Sequence, residues 1–423
     1  MKKIIGCFLI VISLLITSCS DSDDITEENI RIETNYTAQV SSNNALNFSK
    51  REIIVQFKDN VRNSKKAALR QLYQVVDYEI CTHCDKVIEK WDFGPGIDLE
   101  NKLGSVSSGS GGAESIQNVM IEFDFKSETD YFSMTGGSGN HNYASKIVEQ
   151  NEGVTIAVLD SGIDVNYPTF DARPFLYNAT NDGNPDVISG WDYVNENHDC
   201  YDDYNEVHGT TVGAFIYNSL NEEEIPFQLL PVKVANEDGI VSIFDMLCGM
   251  LFSLPKADIL QVSLGWYDAN GANPYTSSIF LDLLHEYEDV LVVTSAGNSD
   301  NNNDGNIAHY PSNFSSSTSN VIGVGATNHE NTDTSYFTNY GIYSVDFLSI
   351  GTNIPFINSA GDPVYVSGTS FSAPHVTAVA ARILYNSGMT YTPLEIINAI
   401  DMDGIHVNFS KETKYDKFIP PLY

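Results

Sequence analysis

From Val154 onward, uniformly apolar runs alternate with amphipathic stretches along the chain. V-T-I-A-V-L at 154–159 is followed by a helical stretch His208–Leu220, L-L-P-V-K-V at 229–234, a helical stretch Ile243–Leu254 and I-L-Q-V at 259–262. A helical stretch Ile279–Tyr287, V-L-V-V-T at 290–294 and V-I-G-V-G-A at 321–326 come next. Strands with no polar alternation are buried on both faces. Interleaved with helices, they predict the α/β class: a doubly wound, mainly parallel sheet with helices on both faces, whose ligand crevice lies beyond the C-terminal strand ends. No internal repeat is visible.

A smaller unit precedes this one. E-I-I-V-Q-F-K at 52–58 reads as a strand, and S-K-K-A-A-L-R-Q-L-Y at 64–73 as a helix carrying Ala67, Leu69 and Leu72 at helical spacing. K-V-I-E-K-W-D-F at 86–93 reads as a second strand, Ile97–Leu103 as a short helix and Val119–Phe125 as a last strand, with a Gly/Ser-rich insertion at Gly104–Gly112. The expected order over 50–126 is β-α-β-α-β. Residues 127–145, with Gly136-Gly137-Ser138-Gly139, read as an exposed linker with a processing site; 146–400 form the large domain and 401–423 a short C-terminal tail.

The N-terminus is an address. Lys2 and Lys3 precede the apolar run Ile4–Ile16, too short to cross a bilayer, so 1–18 read as an export signal. Ile16-Thr17-Ser18-Cys19 resembles the lipobox of bacterial lipoproteins, which implies lipidation at Cys19. Ser20 to Asp24, within a polar tether at 19–49, resembles the acidic tether of Bacteroidetes-type surface lipoproteins. The expectation is an exported protein, lipid-anchored at the outer membrane and facing the cell surface. Of six cysteines, Cys7 leaves with the signal and Cys19 is modified. Cys81, Cys84, Cys200 and Cys248 remain, and in an oxidising compartment they can pair in three ways. Cys81-Thr82-His83-Cys84 lacks the second ligand pair of a structural zinc site, so a local disulfide or free thiols are favoured over metal.

Composition narrows the partners. With 22 Lys+Arg against 56 Asp+Glu the net charge is −34, which repels nucleic-acid phosphates and anionic surfaces. Tyr (23) and Phe (21) supply enough aromatic surface to argue for a folded core.

Four motifs fall at predicted strand ends or helix starts. Asp160 closes the first strand in A-V-L-D-S-G-I-D, and His208 opens a helix in H-G-T-T-V-G. Asn298 follows a strand in S-A-G-N, and Ser370 sits in S-G-T-S-F-S-A-P-H-V. Acyl transfer by a hydroxyl needs these groups: an imidazole to take its proton, a carboxylate to fix the imidazole tautomer, and preorganised donors for the tetrahedral oxyanion. Gly368 permits a tight approach at the Ser370 turn, and the helix N-terminus that follows favours developing negative charge. The order Asp, His, Asn, Ser and all four motifs resemble the subtilisin-like serine peptidases, over roughly residues 145 to 400. The resemblance implies that Asp160 orients the base, His208 acts as general base and then acid, Ser370 is the nucleophile, and Asn298 with the Ser370 N–H forms the oxyanion hole. It implies protein or peptide substrates. It also implies that 50–126 is a propeptide-like domain acting as intramolecular inhibitor. No cofactor is required; structural calcium occurs among relatives of the family, and Asn298–Asn306 offers oxygens but no recognisable calcium template, so no metal ligands are assigned.

Substrate-contacting positions follow from the same resemblance. Ser263-Leu264-Gly265 matches the segment that pairs with substrate as an added strand. Trp266 is expected either to crowd the primary pocket or to pack at the surface. Ala296 and Gly297 adjoin the oxyanion hole. His309, just before Tyr310-Pro311, matches a position near the pocket floor and is expected to favour small, polar or acidic side chains. Thr211 stands where a second histidine is usual. Asp199, Asp202, Asp203 and Glu206 read either as an acidic lip beside the base that selects basic side chains or as a solvated charge run. His375 reads as a packed helix residue. Two other functions keep the fold: a non-catalytic surface binding module, and a dedicated maturation peptidase or transpeptidase.

Overall fold

The structure, a computed structural model, describes residues 47–57, 61–84, 86–108, 114–122, 153–168, 189–204, 207–269 and 274–422, with isolated positions 170, 172, 175–177 and 271 between them. The export signal, Cys19, nearly all of the tether, the linker at 127–145 and Glu206 lie outside the described residues.

Among the described residues the large sheet has nine strands. Its parallel centre runs, in space, Phe347–Ile350, Val321–Thr327, Leu291–Ser295, Ile259–Val262, Val154–Asp160, Phe227–Lys233 and Trp191–Asp192. The chain starts this centre at Val154–Asp160, lays down Trp191–Asp192 and then Phe227–Lys233 on one side and builds outward from Ile259–Val262 on the other, so strand order reverses beside it. That reversal point is where α/β sheets open a crevice at the carboxyl ends. Every residue of Val154–Asp160, Leu291–Ser295 and Val321–Thr327 is buried. Each fully buried Val, Leu or Ile contributes about 1.5–3 kcal/mol, so three such strands make a rigid base for whatever their ends carry. Helix Thr369–Asn386 packs against one face of the sheet and helix Ile243–Ser253 belongs to the apolar core on the other. The fold is the expected mainly parallel α/β architecture. The expected tail differs. Helix Pro393–Asp403 runs past 400, and Ile405–His406 and Lys417–Phe418 add two short strands to the sheet edge beside Phe347–Ile350.

The N-terminal unit is an antiparallel sheet in the order Asp77–Ile80, Val87–Asp92, Asn47–Phe57, Glu114–Glu122, with helices Asn63–Tyr73 and Leu99–Ser108. It departs from the sequence reading in three places. Asp77–Ile80 is an extra edge strand, largely exposed and so without an apolar face to announce it. Helix Leu99–Ser108 runs through Gly104 because Val106, seven residues past Leu99, is buried in the unit's core. The last strand begins at Glu114, five residues before the expected start. This sheet then continues into the large domain: Met120↔Ser242, Ile121↔Val241 and Glu122↔Ile240 pair antiparallel with strand Ile240–Ser242.

Candidate active site

Asp160, the last residue of its strand, accepts from the Ser161 N–H at 2.8 Å and holds His208 Nδ1 at 2.7 Å through the same Oδ1. Both side chains are fully buried. The approach depends on Gly209: a Cβ there would stand 2.3 Å from the Gly162 carbonyl oxygen and 3.0 Å from Asp160 Cβ. Helix His208–Glu222 starts abruptly. Its cap residue Val207 lies in the left-handed region at φ 43°, ψ 48°, which costs a β-branched residue about 1–2 kcal/mol. Bonds to the first-turn N–H groups offset that strain: Gly209 donates to Ser161 Oγ at 2.9 Å, and Thr210 donates to Asp202 Oδ2 at 2.9 Å.

Two acids of the stretch before His208 have partners in the fold. Asp202 is buried at the helix N-terminus, where its charge complements the helix dipole. Asp203 pairs at 2.6 Å with Lys233, a buried lysine that also donates to the Ser161 and Ala235 carbonyls at 2.8 Å. The sequence reading missed Lys233, which closes a mostly apolar strand, Phe227–Lys233. Burial pushes the Asp202 carboxyl up to about 6, despite Lys233 and the Thr210 bonds. The folded protein thus holds this proton more tightly than the unfolded chain, where the carboxyl titrates near 4. Its contribution to stability is fully present below about pH 4 and is lost as pH rises through about 6. In a Ser370→Ala background, Asp202→Asn keeps an acceptor for Thr210 and removes the titration. Urea unfolding from pH 4.5 to 7.5 is expected to show the variant gaining on its parent as pH rises, by an amount on the order of 2 kcal/mol. Parallel stability curves would rule this out.

Ser370 stands in the first turn of helix Thr369–Asn386. Gly368, at φ 154° and ψ 153°, makes the turn from the preceding strand in a conformation open essentially to glycine. The Ser370 hydroxyl donates to the Ser263 carbonyl at 3.1 Å, and Ser263 Oγ donates back to the Ser370 carbonyl at 2.7 Å. Gln261 Nε2 in turn donates to Ser263 Oγ at 2.8 Å, so the segment at the end of strand Ile259–Val262 clamps the Ser370 turn. The Ser370 N–H belongs to the first turn of the helix, which has no intrahelical acceptors. Asn298 is oriented by Thr369: its Oδ1 accepts from the Thr369 N–H at 2.8 Å and from Thr369 Oγ1 at 2.9 Å. Because a backbone N–H can only donate, the oxygen faces Thr369 and the NH2 points away, toward Gly368, where a Cβ would stand 3.7 Å from Nδ2.

Beside these groups Gly265, Gly297, His309 and Tyr267 lie close against one another. Cβ atoms at Gly265 and Gly297 would meet the His309 ring at 2.7 Å and 3.0 Å. Tyr267 faces His309 across the antiparallel pair Trp266–Ala269 and Ile307–Tyr310, with ring centroids 4.8 Å apart. Trp266, one residue out of phase, turns to the opposite face and packs on Phe280, Tyr310 and Phe314 in the core. It is 2% exposed, so it is not surface-packed, and the side chain that lies against His309 is Tyr267. Strand alternation carried that signal. Leu264 and Ala296 are buried beside these segments.

Burial pushes His309 down to about 3, which keeps it neutral. Ser312 Oγ spends its proton on the His309 carbonyl at 2.8 Å and lies 3.0 Å from Nδ1. Nδ1 therefore carries the ring proton and Nε2 presents a bare lone pair. His375 is buried in its helix against Phe215. Asn301 and Asn303 spend their amides on the Ile307 and Ala296 carbonyls, and Asp304 accepts from Ser344. Among the described residues no group of three or more His, Cys, Asp or Glu comes together to hold a metal ion, and no step below runs through one.

Comparison with known proteins agrees with this architecture. The model of the subtilase family matches residues 151–402. A thermophilic serine proteinase of Bacillus sp. (strain AK1) is 25% identical over 343 residues, covering 78% of this chain and 77% of the relative. Subtilisin-like protease 1 of Trichophyton rubrum is 25% identical over 263 residues, and there the match spans 60% of this chain but only 45% of the relative. Among solved structures, a lanthipeptide protease superposes with a TM-score of 0.51 at 18% identity, over 63% of this chain and 85% of that one, a likeness of fold.

Proposed function

The chain belongs to the subtilase family, and from that premise we propose that it is a serine endopeptidase working through an acyl-enzyme, with Asp160, His208 and Ser370 as triad and Asn298 with the Ser370 N–H as oxyanion hole. The buried 2.7 Å contact between Asp160 Oδ1 and His208 Nδ1 carries the reading. A carboxylate there keeps the ring proton on Nδ1 and leaves Nε2 as the basic nitrogen. Rotation of Ser370 about χ1 from the Ser263 carbonyl to His208 Nε2 prepares attack on a peptide carbonyl. The serine proton passes to His208 as the C–O bond forms, and the oxyanion takes donors from Asn298 Nδ2 and the helix N-terminus. His208 then returns the proton to the leaving amine, and water activated by the same imidazole releases the acid.

Substrate adds as a strand along Ser263-Leu264-Gly265, with the side chain before the scissile bond directed toward Gly265, Gly297, His309 and Tyr267. A neutral imidazole offering only a lone pair disfavours carboxylates, so the earlier expectation narrows to small or hydrogen-bond-donating side chains. The N-terminal unit acts as intramolecular inhibitor while the linker at 127–145 is intact, a reading supported by its strand pairing beside helix Ile243–Ser253. Anchoring at the outer membrane through Cys19 completes the proposal.

Peptide amides varied only at the residue before the scissile bond test this. Asn or Ser there is expected to be cleaved at least about tenfold faster than Asp, the scale of one lost hydrogen bond. Absence of any cleavage by the processed wild-type protein would sink the peptidase reading, and preference for Asp would sink the role given to His309.

A further inference from the structure

The N-terminal unit and the large domain are joined by more than the chain between them. Cys81, just past strand Asp77–Ile80, is disulfide-bonded to Cys248 on helix Ile243–Ser253, with Cα atoms 5.6 Å apart across 167 residues of sequence. The local Cys81–Cys84 pairing does not form: Cys84 lies outside the bond, its Sγ 3.1 Å from the Cys81 carbonyl oxygen. Both bonded cysteines are buried, at 6% and 0% exposure, so the bond is sealed between the units.

Contacts between the units surround it. The Tyr193 hydroxyl donates to the Thr82 carbonyl at 2.8 Å, and the Thr82 hydroxyl donates to Glu196 at 2.9 Å. The His83 ring meets Trp191 edge-on at 4.0 Å, and Lys86 pairs with Glu286. Lys90 lies 4.9 Å above the Phe244 ring, one turn from Cys248. The backbone pairing of Met120–Glu122 with Ile240–Ser242 extends the same seam.

We propose that the N-terminal unit is a permanent, covalently held subunit of this protein and not a detachable one. A cut anywhere between the units yields a two-chain molecule joined through Cys81–Cys248. The catalytic unit then stays attached to whatever holds the N-terminus. A noncovalent partner of this size leaves on dilution, whereas a bonded one keeps its effective concentration whatever the volume. Forming the bond takes two electrons and two protons from the Cys81 and Cys248 thiols and delivers them to a protein or small-molecule disulfide, which becomes two thiols; a dithiol reductant reverses the exchange. The inference goes beyond the peptidase reading and does not depend on which protease makes the cut.

The test uses the full chain exported into an oxidising compartment, with Ser370→Ala to prevent self-cleavage and a site for a sequence-specific protease inserted within 127–145. After complete cutting, alkylation and denaturation without reductant, the protein is expected to run as one species of the uncut mass. Dithiothreitol should split it into two, and peptide mapping should recover Cys81 linked to Cys248. The same chain with Cys248→Ala should fall into two pieces without reductant, whereas Cys84→Ala and Cys200→Ala should not. Separation of the parent without reductant, or recovery of a Cys81–Cys84 pair, would overturn the proposal. The parent chain alone decides this, so the outcome does not hang on whether the Cys248 variant folds.

Discussion

Ser370→Ala is expected to lower kcat for peptide hydrolysis on the order of 10^6-fold, the scale known for subtilisin itself and not one derived from this geometry. The loss should fall on kcat. Strand addition along Ser263-Leu264-Gly265 uses main-chain groups, so KM should stay within a few-fold. The fold should also survive: the lost hydroxyl makes one bond, to the Ser263 carbonyl, while the Ser263 Oγ bond runs to the Ser370 main chain and persists. Steady-state kinetics beside a thermal melt separate the two effects. A variant within tenfold of wild type, with an unchanged melt, would remove Ser370 from the mechanism.

Asp160→Asn is expected to cost on the order of 10^4-fold in kcat while leaving the architecture intact. Asp160 Oδ1 accepts from both the Ser161 N–H and His208 Nδ1, and Oδ2 is buried with no hydrogen-bond partner among the described residues. If the asparagine keeps its oxygen toward His208, its NH2 occupies the buried Oδ2 position without an acceptor, which costs about 1–3 kcal/mol. If it turns over, the NH2 faces Nδ1, the ring proton moves to Nε2 and the base is gone. In both orientations the neutral amide no longer stabilises the imidazolium that forms during attack. A pH–rate profile with kcat and KM resolved checks this. A loss below tenfold would mean that the buried pair serves packing alone.

The four-motif constellation was legible because each motif sits where a buried strand ends or a helix begins, and the strands betray themselves by unbroken apolar runs. Asp160 closes a strand in which all seven residues are buried, and no loop residue could be fixed as firmly. What the sequence hid depends on contacts between distant segments. Nothing in the spacing of Cys81, Cys84, Cys200 and Cys248 encodes a pairing across 167 residues, and the C-x-x-C spacing favoured the local alternative. Asp202 and Asp203 looked like solvated charges because their partners, the first turn of the His208 helix and Lys233, are only met in the fold. Trp266 and Tyr267 differ by one residue in strand phase, and the pairing of Trp266 with Tyr310 decides which of them lies against His309. The edge strand Asp77–Ile80 was missed because an exposed edge has no apolar face to alternate.

The central claim is that Ser370 carries an acyl group during turnover. Mixing the processed wild-type protein with a peptide ester, quenching in acid within the first turnover and mapping the peptides by mass tests it directly. The account predicts one acyl group per chain, on Ser370, lost on longer incubation and absent from Ser370→Ala. Peptide cleavage without acylation, or an acyl group on another residue, would contradict it.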